Sequence, residues 1–204
     1  MRKYRKQLFS VLSCLVIISL IYSNFPGSEA KCEEIKSDES AIQQVVQHLQ
    51  DKRVTLGDED LQVVAETICS ESQYNKVDYR LILAIIEVES NYRHDAISRR
   101  GARGLMQLIP STAQEVAQKN DMSYSGSSDL FNPVKNIQIG VYFLSKQIDD
   151  FKSIRKALYA YNVGPNRAKR KIAKLQIKNK EPHSQYTKRV MMAFQNNMST
   201  MPAF

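Results

Sequence analysis

Three cysteines, three histidines and no stretch that alternates apolar with polar residues over the length of a strand are the first constraints on this 204-residue chain. The missing alternation argues against a sheet-based fold and in favour of helices. His48, His94 and His183 are scattered, with no ligand spacing among them, so neither a metal site nor a cofactor is expected. The chain carries 29 Lys and Arg against 21 Asp and Glu, a formal net charge of +8, but no nucleic-acid recognition motif accompanies that charge. Another anionic partner has to account for it.

The N-terminus supplies the setting. Arg2, Lys3, Arg5 and Lys6 precede an apolar run from Leu8 to Tyr22, and Ser28-Glu29-Ala30 closes it with a small-x-small pattern. Residues 1–30 therefore read as a secretory signal peptide. An uncleaved anchor is the alternative, although the run is shorter than the roughly 20 residues a spanning helix needs. Cys14 lies inside the run with apolar residues behind it, which does not fit a lipid-attachment site. Membrane contact is expected only through this segment. Cleavage after Ala30 removes four basic residues and one acid and takes the net charge from +8 to +5, a balance suited to an exported protein that meets an acidic polymer or an anionic surface. Cys32 and Cys69 are then the cysteines left in an oxidising compartment, and they allow one pairing. Whether their Cα atoms approach closely enough is a question of fold.

Residues 31–72 form a helical N-terminal extension. Glu39 to Gln50 carries Ile42, Val45, Val46 and Leu49 at helical spacing, and Asp58 to Cys69 carries Leu61, Val64, Ala65 and Ile68. Gly57 separates the two, and Asp58-Glu59-Asp60 gives the second a favourable acidic start. No chemistry is assigned to this part.

The stretch from Asp78 to Gln107 organises the rest. Asp78 is an N-cap candidate, and Leu81 to Val88 leave almost no polar face, so this helix belongs in the core. Glu89 falls in its last turn. Burial and the negative end of the helix dipole both disfavour a charge there, and both raise its pKa towards that of a working acid. Glu87 lies about 200° around the helix from Glu89 and fits a solvated or ion-paired face. Further on, Pro110 opens a helix to about Lys119, a polar loop runs from Asn120 to Asp129, and Asn132-Pro133 starts a helix through Asp149. Ile154 to Tyr161 is helical and stops at Asn162-Val163-Gly164-Pro165; Asn166 to Leu175 and His183 to Asn197 complete the set. The basic residues Arg167, Lys169, Arg170, Lys171 and Lys174 read as a solvated face. The fold class is mainly α, with at most a short hairpin between Asn91 and Leu108.

Glu89-Ser90, GARGLMQLIPSTA from Gly101, NPVKNIQIGVYFL from Asn132, ALYAYNVGP from Ala157 and a Tyr-x-x-x-Val at Tyr186 follow one another in order. In these motifs the chain resembles the soluble lytic transglycosylases, over about Gln73 to Asn196. The resemblance implies a lysozyme-like catalytic domain at residues 73–198, of the α+β superfamily but mainly helical here. It implies cleavage of peptidoglycan glycan strands between N-acetylmuramic acid (MurNAc) and N-acetylglucosamine (GlcNAc), in the bacterial periplasm or envelope.

The resemblance also distributes roles. Glu89 is the catalytic acid. Ser98 and Gln107 line the groove beside it, and Tyr161, within Ala160-Tyr161-Asn162, stands at the reaction centre. Tyr186 is a cleft tyrosine, and Met106 with Ile109 gives an apolar floor. An ordinary glycosidase needs two carboxyl groups, and neither Asp95 nor Asp129 is set apart from a loop residue. Lytic transglycosylases manage with one, because the muramoyl C6 hydroxyl of the substrate attacks C1 and leaves a 1,6-anhydro end. Many relatives place a glutamate four residues ahead of the tyrosine matching Tyr186; here that place is Pro182, with Glu181 one residue further off. No wall-binding module is recognisable, and by analogy the partner is a cell-envelope secretion or conjugation assembly. A muramidase with water as nucleophile, or a non-catalytic wall-binding protein, are the alternatives.

Overall fold

A computed structural model describes residues 28–177, 182 and 184–203, with side chains from residue 39 onward. The expected signal segment up to residue 27 and the Glu181 position lie outside these residues. Helices α1 (Ser28–Asp51), α2 (Asp58–Asn75), α3 (Tyr79–Ser90) and α4 (Pro110–Lys119) are followed by a 3-10 turn at Ser127–Phe131. Then come α5 (Pro133–Phe151), α6 (Ile154–Val163), α7 (Pro165–Gln176) and α8 (Gln185–Thr200). The chain divides within α1 into two compact units, residues up to Ser40 and Ala41 to Phe204. The core and every helix from α2 onward belong to the second.

Local chemistry sets the helix limits. The Asp78 carboxylate accepts the Arg80 amide at 2.9 Å as the N-cap of α3, and Asn132 accepts the Lys135 amide at 3.0 Å as the N-cap of α5. Proline occupies the first turn of α4, α5 and α7, where its missing N–H costs nothing. α3 ends at Asn91, whose amide returns to the Glu87 carbonyl with φ at 50°, and Tyr92 follows at φ 62°. Two successive left-handed residues, neither of them glycine, reverse the chain directly behind Glu89 and Ser90.

α3 is the axis of the core. Leu81 to Ile86 are all at most 1% exposed, and burial of each Leu or Ile contributes about 1.5–3 kcal/mol. α3 packs chiefly on α8, α2 on α5, and α5 on α6. The chain end closes over the start of α3: the Tyr79 hydroxyl donates to the Pro202 carbonyl at 2.6 Å, and Asn197 donates to the Arg80 carbonyl at 3.0 Å. In α1, Ala41, Val45 and Leu49 are buried at helical spacing, while Ile42 and Val46 pack half-exposed at the edge. Cys69 is buried on α2, and the Cys32 side chain lies outside the described residues. The fold is helical, as the periodicity requires. The hairpin reduces to two isolated antiparallel bridges that share Arg103, Ile97 with Arg103 and Arg103 with Leu108, and no strand forms among the described residues.

Candidate active site

The apolar run of α3 carries Glu89 into the interior and leaves it half-buried at the helix end. Burial pushes its carboxyl from the usual 4.5 to about 7, against a Tyr186 hydroxyl and an Arg189 charge that both pull it down. Burial therefore wins over two groups that favour the anion. Glu87 points elsewhere and is ion-paired with Lys52 at 3.0 Å. Asp129 accepts from Lys135 at 2.8 Å and from the Ser125 amide at 2.8 Å, which holds it low and marks it as a loop anchor. Asp95 is exposed.

Two tyrosines face Glu89, and they differ in what their hydroxyls are doing. Tyr161, on α6 and 8% exposed, donates to the Met106 carbonyl at 2.8 Å. The Tyr186 hydroxyl, on the first turn of α8, is buried and has no partner in good hydrogen-bond geometry. Burial and the Glu89 charge raise both phenol pKa values far above 10. Tyr186 lies close enough to the Glu89 carboxyl for its O–H to favour the anion.

The Gly-bracketed turn is held from beneath. Gln107 adopts φ 48°, and its amide NH₂ donates to the carbonyls of Ala96 at 3.1 Å and Gly104 at 2.9 Å. Its NH₂ is thus spent on the loop, and Oε1 is what Gln107 offers the groove. Ser98 Oγ accepts the Ala102 and Arg100 amides at 3.0 and 3.3 Å, which leaves its proton to donate. Met106 and Ala160 are fully buried. Contrary to the expectation of an apolar floor, the Met106 side chain packs against Gly140, where any Cβ would strike its sulfur. The exposed apolar residue of that turn is Ile109, and Asn162 is exposed on α6.

One residue beneath the turn is given no role by the sequence motifs. Asn136, fully buried on α5, accepts the Met106 amide at 2.8 Å and donates to the carbonyls of Leu130 at 2.9 Å and Arg103 at 3.0 Å. A side chain at Gly104 (φ +75°) would collide with that amide and with the Leu130 carbonyl. The signal available was an Asn beside Ile137 on the inward stripe, since a buried amide must find partners. A second missed contact joins α1 to the segment behind Glu89. His48 Nε2 meets the Tyr92 hydroxyl at 2.7 Å, one turn of α1 before Lys52. No cluster of metal-ligating side chains occurs among the described residues.

Glu89 also borders an open cleft of about 540 Å³, lined by Glu87, Arg93, Arg189, Met192 and Asn196 among others. Fold and site together define a helical protein that brings one proton-bearing carboxyl, without a second free one in that cleft, to a polar groove. Residues 66–184 match the Transglycosylase SLT domain, and the chain belongs to that family. It is 33% identical over 103 residues to the Transglycosylase of Enterobacteria phage PRD1, covering 50% of this chain and 36% of that one. It is 43% identical over 72 residues to the Endo-type membrane-bound lytic murein transglycosylase A of Klebsiella pneumoniae, covering 34% and 35%. Among solved structures, an inactive mutant of Lytic Transglycosylase Slt from Pseudomonas aeruginosa superposes with a TM-score of 0.57 at 27% identity, over 66% of this chain and 24% of that one. The chain spans between 14% and 36% of the length of the curated relatives it matches.

Proposed function

We propose that this protein is a peptidoglycan lytic transglycosylase that cleaves the MurNAc–GlcNAc bond with Glu89 as its acid and base. The observation that carries the reading is a single half-buried carboxyl, raised to about 7, with no free carboxylate beside it in the adjoining cleft. Such a group holds a proton near neutral pH and can pass it to the glycosidic oxygen as the bond to C1 breaks. The carboxylate so formed takes the proton of the muramoyl C6 hydroxyl as that oxygen closes on C1. The proton count returns to its start, and no water is consumed. Family membership and the transglycosylase names of the relatives support the same reaction.

Muropeptide analysis by mass after digestion of purified sacculi tests the reading, because the anhydro product is one water lighter than a hydrolysis product. Reducing ends alone would make the protein a muramidase. Glu89→Gln should lose about 10²–10⁴-fold in rate, whereas Glu87→Gln, which breaks a surface ion pair, should lose little. Export to the cell envelope is part of the proposal; it is supported by the N-terminal pattern and by the membrane-bound relative. Fractionation of cells carrying the tagged full-length chain checks it. Among the described residues no helix is long and apolar enough to cross a membrane.

A further inference from the structure

The structure divides the cations of α7 into two groups. At 100° per residue, Arg167, Arg170, Lys171 and Lys174 fall within one arc of about 100°, and all four are exposed. Lys169 lies outside that arc, paired with Asp150 at 2.8 Å and 5.9 Å from the centre of the Phe151 ring. Ala168 and Ile172 are buried in a small cluster with Ala160, Phe151, Tyr159 and Val163, which fixes the helix with its basic stripe turned outward. None of the four stripe residues makes an ion pair among the described residues. From Lys152 to Ile177 the chain has no acid, so nothing on α6 or α7 offsets them. Ile177 follows α7 still in helical conformation, at φ −58° and ψ −26°, which places it beside Arg170 at the edge of the stripe, and it is 85% exposed. Cations along one face and an apolar side chain at its end are what a peripheral helix presents to a bilayer.

We propose that this face of α7 docks on the surface of an anionic phospholipid bilayer, with Arg167, Arg170, Lys171 and Lys174 among the headgroup phosphates and Ile177 entering the apolar boundary beneath them. Charge complementarity carries the first half, because a row of unopposed cations is attracted to a negative surface within about a Debye length. The helix is already folded and held by its buried side, so docking has no segment to order. Ile177 separates a membrane from a soluble polyanion. A phosphate polymer would meet the cations equally well, but it offers the isoleucine no apolar phase. The inference extends the proposed export to the envelope and is independent of the transglycosylase chemistry. Such a contact holds the protein at a bilayer surface through a helix that is too short and too polar to cross one.

The chain contains no Trp, so Ile177→Trp places a single fluorescent reporter at the proposed contact in the full chain. Its emission should shift to the blue on addition of vesicles of phosphatidylglycerol mixed with phosphatidylcholine, and added salt should weaken that response. Vesicles of phosphatidylcholine alone, and inorganic polyphosphate, should leave the emission unchanged. Arg170→Gln with Lys174→Gln in the reporter background should weaken the vesicle titration by roughly 10- to 30-fold, at about fivefold for each charge. Arg99→Gln with Arg100→Gln, an equal change of charge in an exposed turn, should weaken it by no more than about 2-fold. Thermal melts of these exposed-site variants should match the parent. A chain that sediments with the anionic vesicles while its emission stays unchanged would be binding through its N-terminal segment, and would overturn the α7 contact. Equal losses in the two double variants would overturn it too, by reducing the effect to net charge. A response to polyphosphate without one to vesicles would make the stripe a site for a soluble polyanion and refute the membrane assignment.

Discussion

The Tyr161 hydroxyl spends its only proton on the Met106 carbonyl, at 2.8 Å, and so it cannot donate to Glu89. Towards the carboxyl it is an acceptor only. Tyr186, whose buried hydroxyl is otherwise unengaged, is the phenol with a proton to give the anion. Of the two tyrosines, Tyr186 is the one that favours the Glu89 anion.

Replacing each by Phe separates them. Tyr186→Phe removes a group that lowers the Glu89 pKa, so the alkaline limb of the rate profile should move to higher pH. Tyr161→Phe should not raise that limb. It should reduce the rate, and it should cost about 1–3 kcal/mol of stability by leaving the buried Met106 carbonyl without its donor. Rate profiles and thermal melts of the two variants provide the check. An upward shift of the limb in Tyr161→Phe would contradict the hydrogen-bond assignment.

Asn136 supports the same carbonyl one step further back, through the Met106 amide. Asn136→Leu would strand the buried Met106 N–H and the Leu130 carbonyl, while the Arg103 carbonyl would keep the Leu108 amide at 3.0 Å. The expected loss is about 2–4 kcal/mol, or several degrees in Tm for a chain of this size. Asn136→Asp should be at least as damaging, because a carboxylate would face the Arg103 and Leu130 carbonyls where an NH₂ now donates to them. Melting curves that match the wild type would show that the turn does not depend on this amide.

The helices could be read from the sequence because their signals are local. Asp78, Pro110, Asn132-Pro133 and Gly164-Pro165 each act within a few residues, and the helix limits fall beside them. Glu89 was legible for the same reason: an apolar run points inward, and its last polar residue goes with it. Asn136, Gln107 and the His48–Tyr92 contact depend on which distant carbonyl or hydroxyl lies opposite. Periodicity tells that a side chain faces in, but not what it meets there. Met106 illustrates this, because Gly140 leaves room for its side chain in the core and, with Gly104 and Leu105 also buried, Gln107 is the part-exposed residue of GLMQ. The extension, assigned no chemistry, supplies His48 and Lys52 to the two flanks of Glu89.

That α1 contact should have its own pH signature. Burial first, and the Lys52 charge next, hold the His48 pKa below its usual 6.5, against the opposing charges of Glu87 and Asp51. Folding thus disfavours the imidazolium. The stability contributed by neutral His48 is present above about pH 6.5 and is lost as the pH falls through the lowered folded value. His48→Gln should flatten this acid loss while giving up the 2.7 Å bond to Tyr92, worth about 1 kcal/mol at neutral pH. Denaturation midpoints across the acid range decide it; an acid slope unchanged in the variant would assign the loss to other groups.

Glu89 should show the opposite dependence. Its pKa is raised from 4.5 to about 7, so between those values the folded protein keeps a proton that the unfolded chain has released. The native state binds more protons there, and stability falls as the pH rises. The contribution is intact below about 4.5 and gone above about 7. Glu89→Gln cannot ionise and escapes this loss, so the inactive variant should be the more stable protein on the alkaline side, by about 1–2 kcal/mol after allowance for partial exposure. At acid pH the two should melt together, since Gln then replaces a neutral carboxyl of nearly the same shape. The wild-type rate should hold through that interval and decline as the pH rises through about 7, where the stability difference levels off, because the folded protein gives up its proton only there. Thermal melts of the pair across this range, set beside the wild-type rate profile, test that link; a stability difference constant with pH would show that burial does not hold a proton on Glu89.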